Sequence, residues 1–179
     1  MQWNLRPHPN TPCAAVQSLQ AEIVLQTNGD WLFRYALQAD MNVVRIPALQ
    51  TPAATDGLWE HTCLEAFIGV TGETAYREFN FSPSTQWAAY AFCDYRERNV
   101  WAASTTPVIT VAPTATGLTL EARIAAADLP SNPAQQPWQI GLTAVIETAT
   151  GEKSYWAVHH PAAKPDFHHR GGFAFTFIA

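Results

Sequence analysis

The chain reads as all-β: an antiparallel β-sandwich of about ten strands, immunoglobulin-like or jelly-roll-like. Three observations carry that expectation. Short segments alternate apolar and polar residues with period two, most of the thirteen prolines fall between those segments, and no stretch carries the wider apolar stripe of an amphipathic helix. A length of 179 residues fits one domain, 1–179, large enough to bury a core.

Taken in order, residues 16–26 mix Val, Ile and Leu with polar residues and read as a first strand. Asn28-Gly29-Asp30 is a turn signal. Residues 31–39 follow with Trp31, Phe33, Tyr35 and Leu37 on one side. Residues 43–47 read as a short strand ended by Pro47, and 48–57 as a loop rich in Ala, Thr and Pro. Beyond the central stretch, 96–107 has no clear pattern, 108–111 is a strand candidate and 114–117 a turn. Residues 118–125 alternate, with Leu118, Leu120, Ala122 and Ile124 inward. One helical turn is expected over 125–129, a loop over 131–137, and a strand over 138–147. Thr150-Gly151-Glu152 turns into a strand at 153–159. Residues 160–172 form a loop, and 172–178 close the domain with Phe173, Phe175 and Phe177 on one face.

The chain is organised around residues 58–95. Within them Leu64, Ala66 and Ile68 share one face, and His61, Cys63 and Glu65 the other. Phe79 and Phe81 point one way while Tyr76, Glu78, Asn80 and Ser82 point the opposite way. If Thr71-Gly72-Glu73-Thr74 joins the two runs as neighbouring antiparallel strands, His61, Glu65, Glu78 and Asn80 share one sheet face. That face is either a solvated exterior or a binding surface.

Composition narrows the function classes. Charged residues are 14% and the net charge is -5 with no Lys/Arg cluster, which argues against a nucleic-acid partner. No apolar run approaches the roughly eighteen residues of a transmembrane helix, and no membrane-surface segment is evident. The start MQWNLRPHPNTPC lacks a signal-peptide pattern, and Cys13, Cys63 and Cys93 are too widely spaced for a disulfide framework. With Met1 as the start, a cytoplasmic location is expected.

Four arrangements bear on chemistry. Carboxylates and an amide beside aromatic rings suit a sugar: bidentate acceptors for hydroxyls, with ring faces to stack on. The aromatic candidates are Trp59, Tyr76, Trp87, Tyr90, Tyr95, Trp101 and Trp156, of which Trp59, Trp87 and Trp156 sit in the most polar settings. The tract HHPAAKPDFHH gathers His159, His160, Asp166, His168 and His169, yet matches no zinc spacing, so no metal ligand is assigned. Met41 with a late histidine would suit axial haem ligation, and the absence of CxxCH excludes covalent attachment. No GxSxG is present. Glu65 and Glu78 would form a hydrolase pair only with carboxyls about 5–9 Å apart.

The run LWEHTCLEAFIG, then YREFNFSPSTQWAAYAFCDYR and YWAVHHPAAKPDFHH, resembles the bacterial DOMON-like domain, a group similar to family 9 carbohydrate-binding modules. The resemblance spans roughly residues 31–177. It implies a non-catalytic β-sandwich that binds a sugar or a haem. Glu65 matches the acidic residue ending a WxxxxxE-type strand. Asn80 and Trp87 fall in EFNFSPxxxW, and His160, Lys164, Asp166 and His168 in HPxxKPDFH. In sugar-binding relatives aromatics sandwich the ring and calcium often supports the fold; those relatives carry more acidic residues near their start than this chain does. In haem-binding relatives an early Met and a late His are ligands, and Met41 with His159 or His160 has that order. Most well-known relatives work outside the cytoplasm, unlike the location expected here.

The reading is therefore a small-ligand-binding domain, with a carbohydrate held by His61, Glu65, Glu78 and Asn80. Trp87 and Trp156 would stack, and His160, Asp166 and His168 would close one end. The alternatives are a b-type haem domain using Met41 and His159, and a sugar-processing hydrolase using Glu65 and Glu78. Haem b and calcium are the cofactors to consider.

Overall fold

The computed structural model describes residues 2–177; Met1, Ile178 and Ala179 lie outside them. Among the described residues, period-two segments become twelve antiparallel strands. They are β1 (Gln2–Pro7), β2 (Val16–Leu25), β3 (Trp31–Ala39), β4 (Cys63–Val70), β5 (Tyr76–Phe81), β6 (Trp87–Asp94), β7 (Glu97–Asn99), β8 (Val108–Thr114), β9 (Gly117–Ile124), β10 (Trp138–Glu147), β11 (Lys153–Ala157) and β12 (Phe175–Phe177). Single 3₁₀ turns sit at Leu58–Glu60, Ala126–Asp128 and Arg170–Gly172.

One layer of the sandwich runs β1-β2-β3-β9-β8, and the other runs β7-β6-β5-β4-β10-β11 with β12 also on β10. Strand β1 belongs to both. Its residues 2–5 pair with β2, and Arg6 and Pro7 pair with Trp156 and Ala157 of β11. The corner strand joins the layers at one side, so hydrogen bonding passes from one to the other without an open edge there.

The inner faces carry the expected apolar sets. Leu19, Phe33, Tyr35 and Leu120 from one layer meet Leu64, Ile68, Phe81 and Ile140 from the other in a single buried core. Phe33 and Phe81 ring centroids stand 6.1 Å apart across it, and Trp31 meets Trp138 edge-on at 5.0 Å. A polar tie crosses the same core: the buried Tyr35 hydroxyl donates to the Glu65 carbonyl at 2.7 Å. An unpaired hydroxyl there would be costly, so this bond fixes how β3 sits against β4.

Several expectations are corrected. Residues 43–47 form a turn with one isolated bridge, Val44 to Thr148, because Pro47 and the Asp40 turn interrupt any ladder. Residues 2–7 and 97–99 were not expected as strands; they pair because neighbouring strands present free edges. At the end of the chain Phe173 parts from its neighbours. It joins a second apolar cluster outside the main core, while Phe175 and Phe177 pack on the main core, so the strand begins only at Phe175. The expectation for Ile178 lies outside the described residues.

Removing the hydroxyl in Tyr35→Phe should lower unfolding free energy by about 1 kcal/mol, read by urea denaturation, with an unchanged strand signal in circular dichroism. Full retention of stability would show that this cross-layer bond contributes nothing.

Candidate ligand-binding cleft

The outer face of the second layer is not solvated. All eight residues of β4 are buried, so both faces of this strand are covered. Cross-strand register builds the outer face directly: Glu65 lies opposite Asn80 and Thr143, Phe67 opposite Glu78, Glu78 opposite Tyr90, and Tyr76 opposite Phe92. Glu65, Glu78 and Asn80 therefore share one face.

Two segments cover this face, the turn at Leu58–Glu60 and the loop of residues 158–174. The loop is fastened at its middle and in its C-terminal half. Asp166 accepts from Arg96 at 2.9 Å and from the Tyr95 hydroxyl at 2.8 Å, and also takes the His168 amide at 3.2 Å. Against the cost of desolvation, these bonds hold its carboxyl below the usual aspartate range. Four residues on, the Arg170 guanidinium donates to the Val70 and Glu73 carbonyls and to the Gln139 amide oxygen, and lies over the Phe173 ring. Glycines make room underneath. A Cβ on Gly69 would fall 1.8 Å from Arg170 Nη1, and one on Gly141 would fall 3.3 Å from the Phe173 ring.

Between cover and sheet lies a cavity of about 580 Å³. Glu65, Glu78 and Phe67 form its floor, with Trp59, Tyr155 and Phe167 at its walls, and Arg98 and Lys153 on strands at opposite sides of the layer. Arg98 stacks over Tyr90 at 4.1 Å and Trp59 at 5.9 Å, with only Asp56, 3.9 Å away, as an ionic partner.

The floor is a hydrogen-bond chain with a direction. Thr143 donates to Glu65 Oε2 at 3.3 Å, and Asn80 Nδ2 donates to Glu78 Oε1 at 2.8 Å. From the other side, the Arg96 amide donates to the Tyr76 hydroxyl at 3.1 Å, and that hydroxyl shares a 2.8 Å hydrogen bond with His168 Nδ1. His168 Nε2 lies 3.6 Å from Glu78 Oε2. Burial, then the Arg96 charge, depresses the imidazole to about 4, so it is neutral at pH 7. Arg96 holds a left-handed backbone, φ 56°, to present its amide in this hairpin.

Two buried acceptors in this chain lack a donor, Glu65 Oε1 and Asn80 Oδ1. They belong to residues that face each other across the β4–β5 pair. Glu65 is only 2% exposed, and burial followed by the Glu78 charge pushes its carboxyl well above the usual range. Glu78 is raised to about 7, chiefly by burial.

The remaining sequence candidates fall elsewhere. Trp156 is 4% exposed in the main core with its indole nitrogen on Ser154, so it offers no stacking face; its neighbour Tyr155 lines the cavity instead. Trp87 pairs with Phe81 on the inner face, not the cavity side. His61 leaves the sheet and binds Glu147 at 2.8 Å. His160 binds the Arg6 carbonyl and, with His159, lines a separate cavity of about 490 Å³. Met41 packs on the main core, so Met41 and His159 do not meet in a haem pocket. His169 caps the Arg170–Gly172 turn. Among the described residues no three His, Cys, Asp or Glu side chains are grouped to hold a metal ion. All three cysteines are free thiols.

No family model matches the sequence, and neither does any curated protein. Solved structures do match in fold. A protein from Bacteroides uniformis, provisionally named as carbohydrate-binding, superposes with a TM-score of 0.69 at 12% identity, over 95% of this chain and 84% of its own. A family 9 carbohydrate-binding module from Caldicellulosiruptor kristjanssonii bound to glucose gives 0.52 at 10% identity, over 87% of this chain and 72% of the module. The same organism's family 9 module with cellotriose gives 0.50 at 10%, over 87% and 70%. The chain has the fold of family 9 carbohydrate-binding modules.

Linkage gives a direct check on the floor. A carboxyl raised to about 7 binds its proton more tightly in the folded chain, so its contribution favours folding at low pH and is lost as pH rises through 7. Glu78→Gln imitates the protonated form. Relative to the parent it should gain on the order of 3 kcal/mol between about pH 5 and pH 8 in urea denaturation. His168 titrates in both proteins, and because the Glu78 charge also raises Glu65 the comparison reports the coupled pair. A difference that does not change with pH would contradict the raised value.

Proposed function

We propose that this chain is a non-catalytic carbohydrate-binding domain whose ligand sits in the cleft over Glu65 and Glu78. The observation that carries the reading is the cleft itself: about 580 Å³, aromatic at the walls, with a polar floor held rigid by its own hydrogen bonds. Cavities of this size take small ligands, and apolar walls with few fixed polar groups suit a sugar ring and its hydroxyls. Glu78 Oε2 stands beyond hydrogen-bond distance of His168 and retains capacity to accept from a hydroxyl. Trp59 and Tyr155 are the rings placed for stacking. The fold shared with modules bound to glucose and cellotriose supports this reading, as does the resemblance of the sequence motifs to the DOMON-like group.

Access argues against hydrolysis. A glycosidase acid must reach the leaving oxygen, but Glu65 Oε1 is fully buried.

Calorimetric titration with glucose, galactose, cellobiose and cellotriose tests the reading. At least one of these should bind. Trp59→Ala should then weaken binding by about tenfold or more, in keeping with the loss of a stacking ring. Trp87→Phe should leave affinity within about twofold, since that ring lies on the other face. Release of reducing ends from cellotriose during long incubation would overturn the non-catalytic reading.

A further inference from the structure

The cleft does not end at Trp59. This indole and Glu60 also line a second cavity, about 670 Å³, on the far side of the Leu58–Glu60 turn. The turn is a three-residue ridge, and the Trp59 ring is only half-buried on it, meeting Tyr90 edge-on at 5.8 Å. A ligand long enough to cross the ridge would lie over the indole with an end in each cavity.

The two cavities differ in chemistry. The first has Arg96, Arg98 and Lys153 among its lining residues, whereas the second has no Lys or Arg. Its polar lining is amide, hydroxyl, carboxylate and the His61 imidazole, which is already engaged by Glu147, and it includes Gln50, Asp56, Ser84 and Gln86. A phosphate or other anion would find no free Lys or Arg there. A polyol would find acceptors and amide donors. Gln86 accepts from the Ser84 hydroxyl at 3.3 Å, while its amide nitrogen and the Gln50 side chain have no partner among the described residues. Exposed amides of this kind are free to meet hydroxyls.

The rim of the second cavity is also held in a costly conformation. Thr85, a β-branched residue, adopts φ 72° in the Ser82–Gln86 turn. Its amide donates to the Ser82 carbonyl at 2.9 Å and its hydroxyl to the Gln50 carbonyl at 2.8 Å, while the Gln50 amide donates to the Ser84 carbonyl at 2.8 Å. These bonds lock the two segments that present Gln50, Ser84 and Gln86.

We propose that the second cavity is a subsite for an uncharged sugar unit, and that the ligand is an oligosaccharide crossing Trp59 rather than a single ring. This rests on the sugar reading of the first cleft. The test is calorimetry on the full chain with glucose and cellotriose as probes, comparing the parent with Gln50→Ala/Gln86→Ala and with Gln86→Ala alone. The expected result is cellotriose at least about tenfold tighter than glucose, with the double substitution removing most of that advantage and the single substitution part of it. Equal affinity for the two sugars, or equal weakening of both by the substitutions, would overturn the subsite and leave the first cleft standing. Binding of neither sugar would overturn the subsite, and the sugar reading beneath it would fall as well once galactose and cellobiose also failed to bind.

Discussion

Two carboxyl groups and a carboxamide are buried side by side on the outer face of β4 and β5, and the rest of the site follows from the cost of keeping them there. A buried polar group without a partner is expensive, and a buried pair of like charges more so. The chain meets this cost by spending each donor once. Thr143 serves Glu65 and Asn80 serves Glu78, while Arg96, Tyr76 and His168 form a second hydrogen-bonded arm whose imidazole ends 3.6 Å from Glu78. Glu78 is the group with an oxygen still open to the cleft.

This floor exists only because the face above it is covered. A loop with few regular contacts of its own would fray, yet residues 158–174 are tied by Asp166 at the middle and Arg170 beyond it. Gly69 and Gly141 let those ties sit close to the strands. The sheet, the loop and the carboxyls thus depend on each other: burial raises the carboxyl values, and the clamps maintain the burial. Tyr35, reaching from the opposite layer to the Glu65 carbonyl, holds the same strand from behind.

Much of this was legible in the sequence because period two is strict where one face is packed. Alternation alone placed Glu65, Glu78 and Asn80 together, and the turn at 71–74 set their register. The same alternation separates Tyr155 from Trp156 and Tyr90 from Trp87. A hairpin turn at 82–86 sets Trp87 opposite Phe81 and so on the core side, and a strand through 153–157 puts Trp156 and Ser154 on the face away from Lys153 and Tyr155. Other features had no local signal. Gln2–Pro7 carries one buried apolar residue, Leu5, and becomes a strand only because β2 and β11 offer edges. Arg170 and Gly69 are distant in sequence, and their contact is a product of the fold. The histidine tract looked like one cluster but is pulled apart, His160 toward Arg6, His168 toward Tyr76 and His169 onto its own turn.

The central claim is that Glu65 and Glu78, buried side by side in the cleft floor, both hold their protons above the usual glutamate range. Side-chain carboxyl carbons followed by NMR across pH report it directly. Glu78 should titrate near 7, and Glu65 well above the usual glutamate range. If both carboxyls instead lost their protons in the ordinary glutamate range, the floor would be a wet surface and the account of the cleft would be wrong.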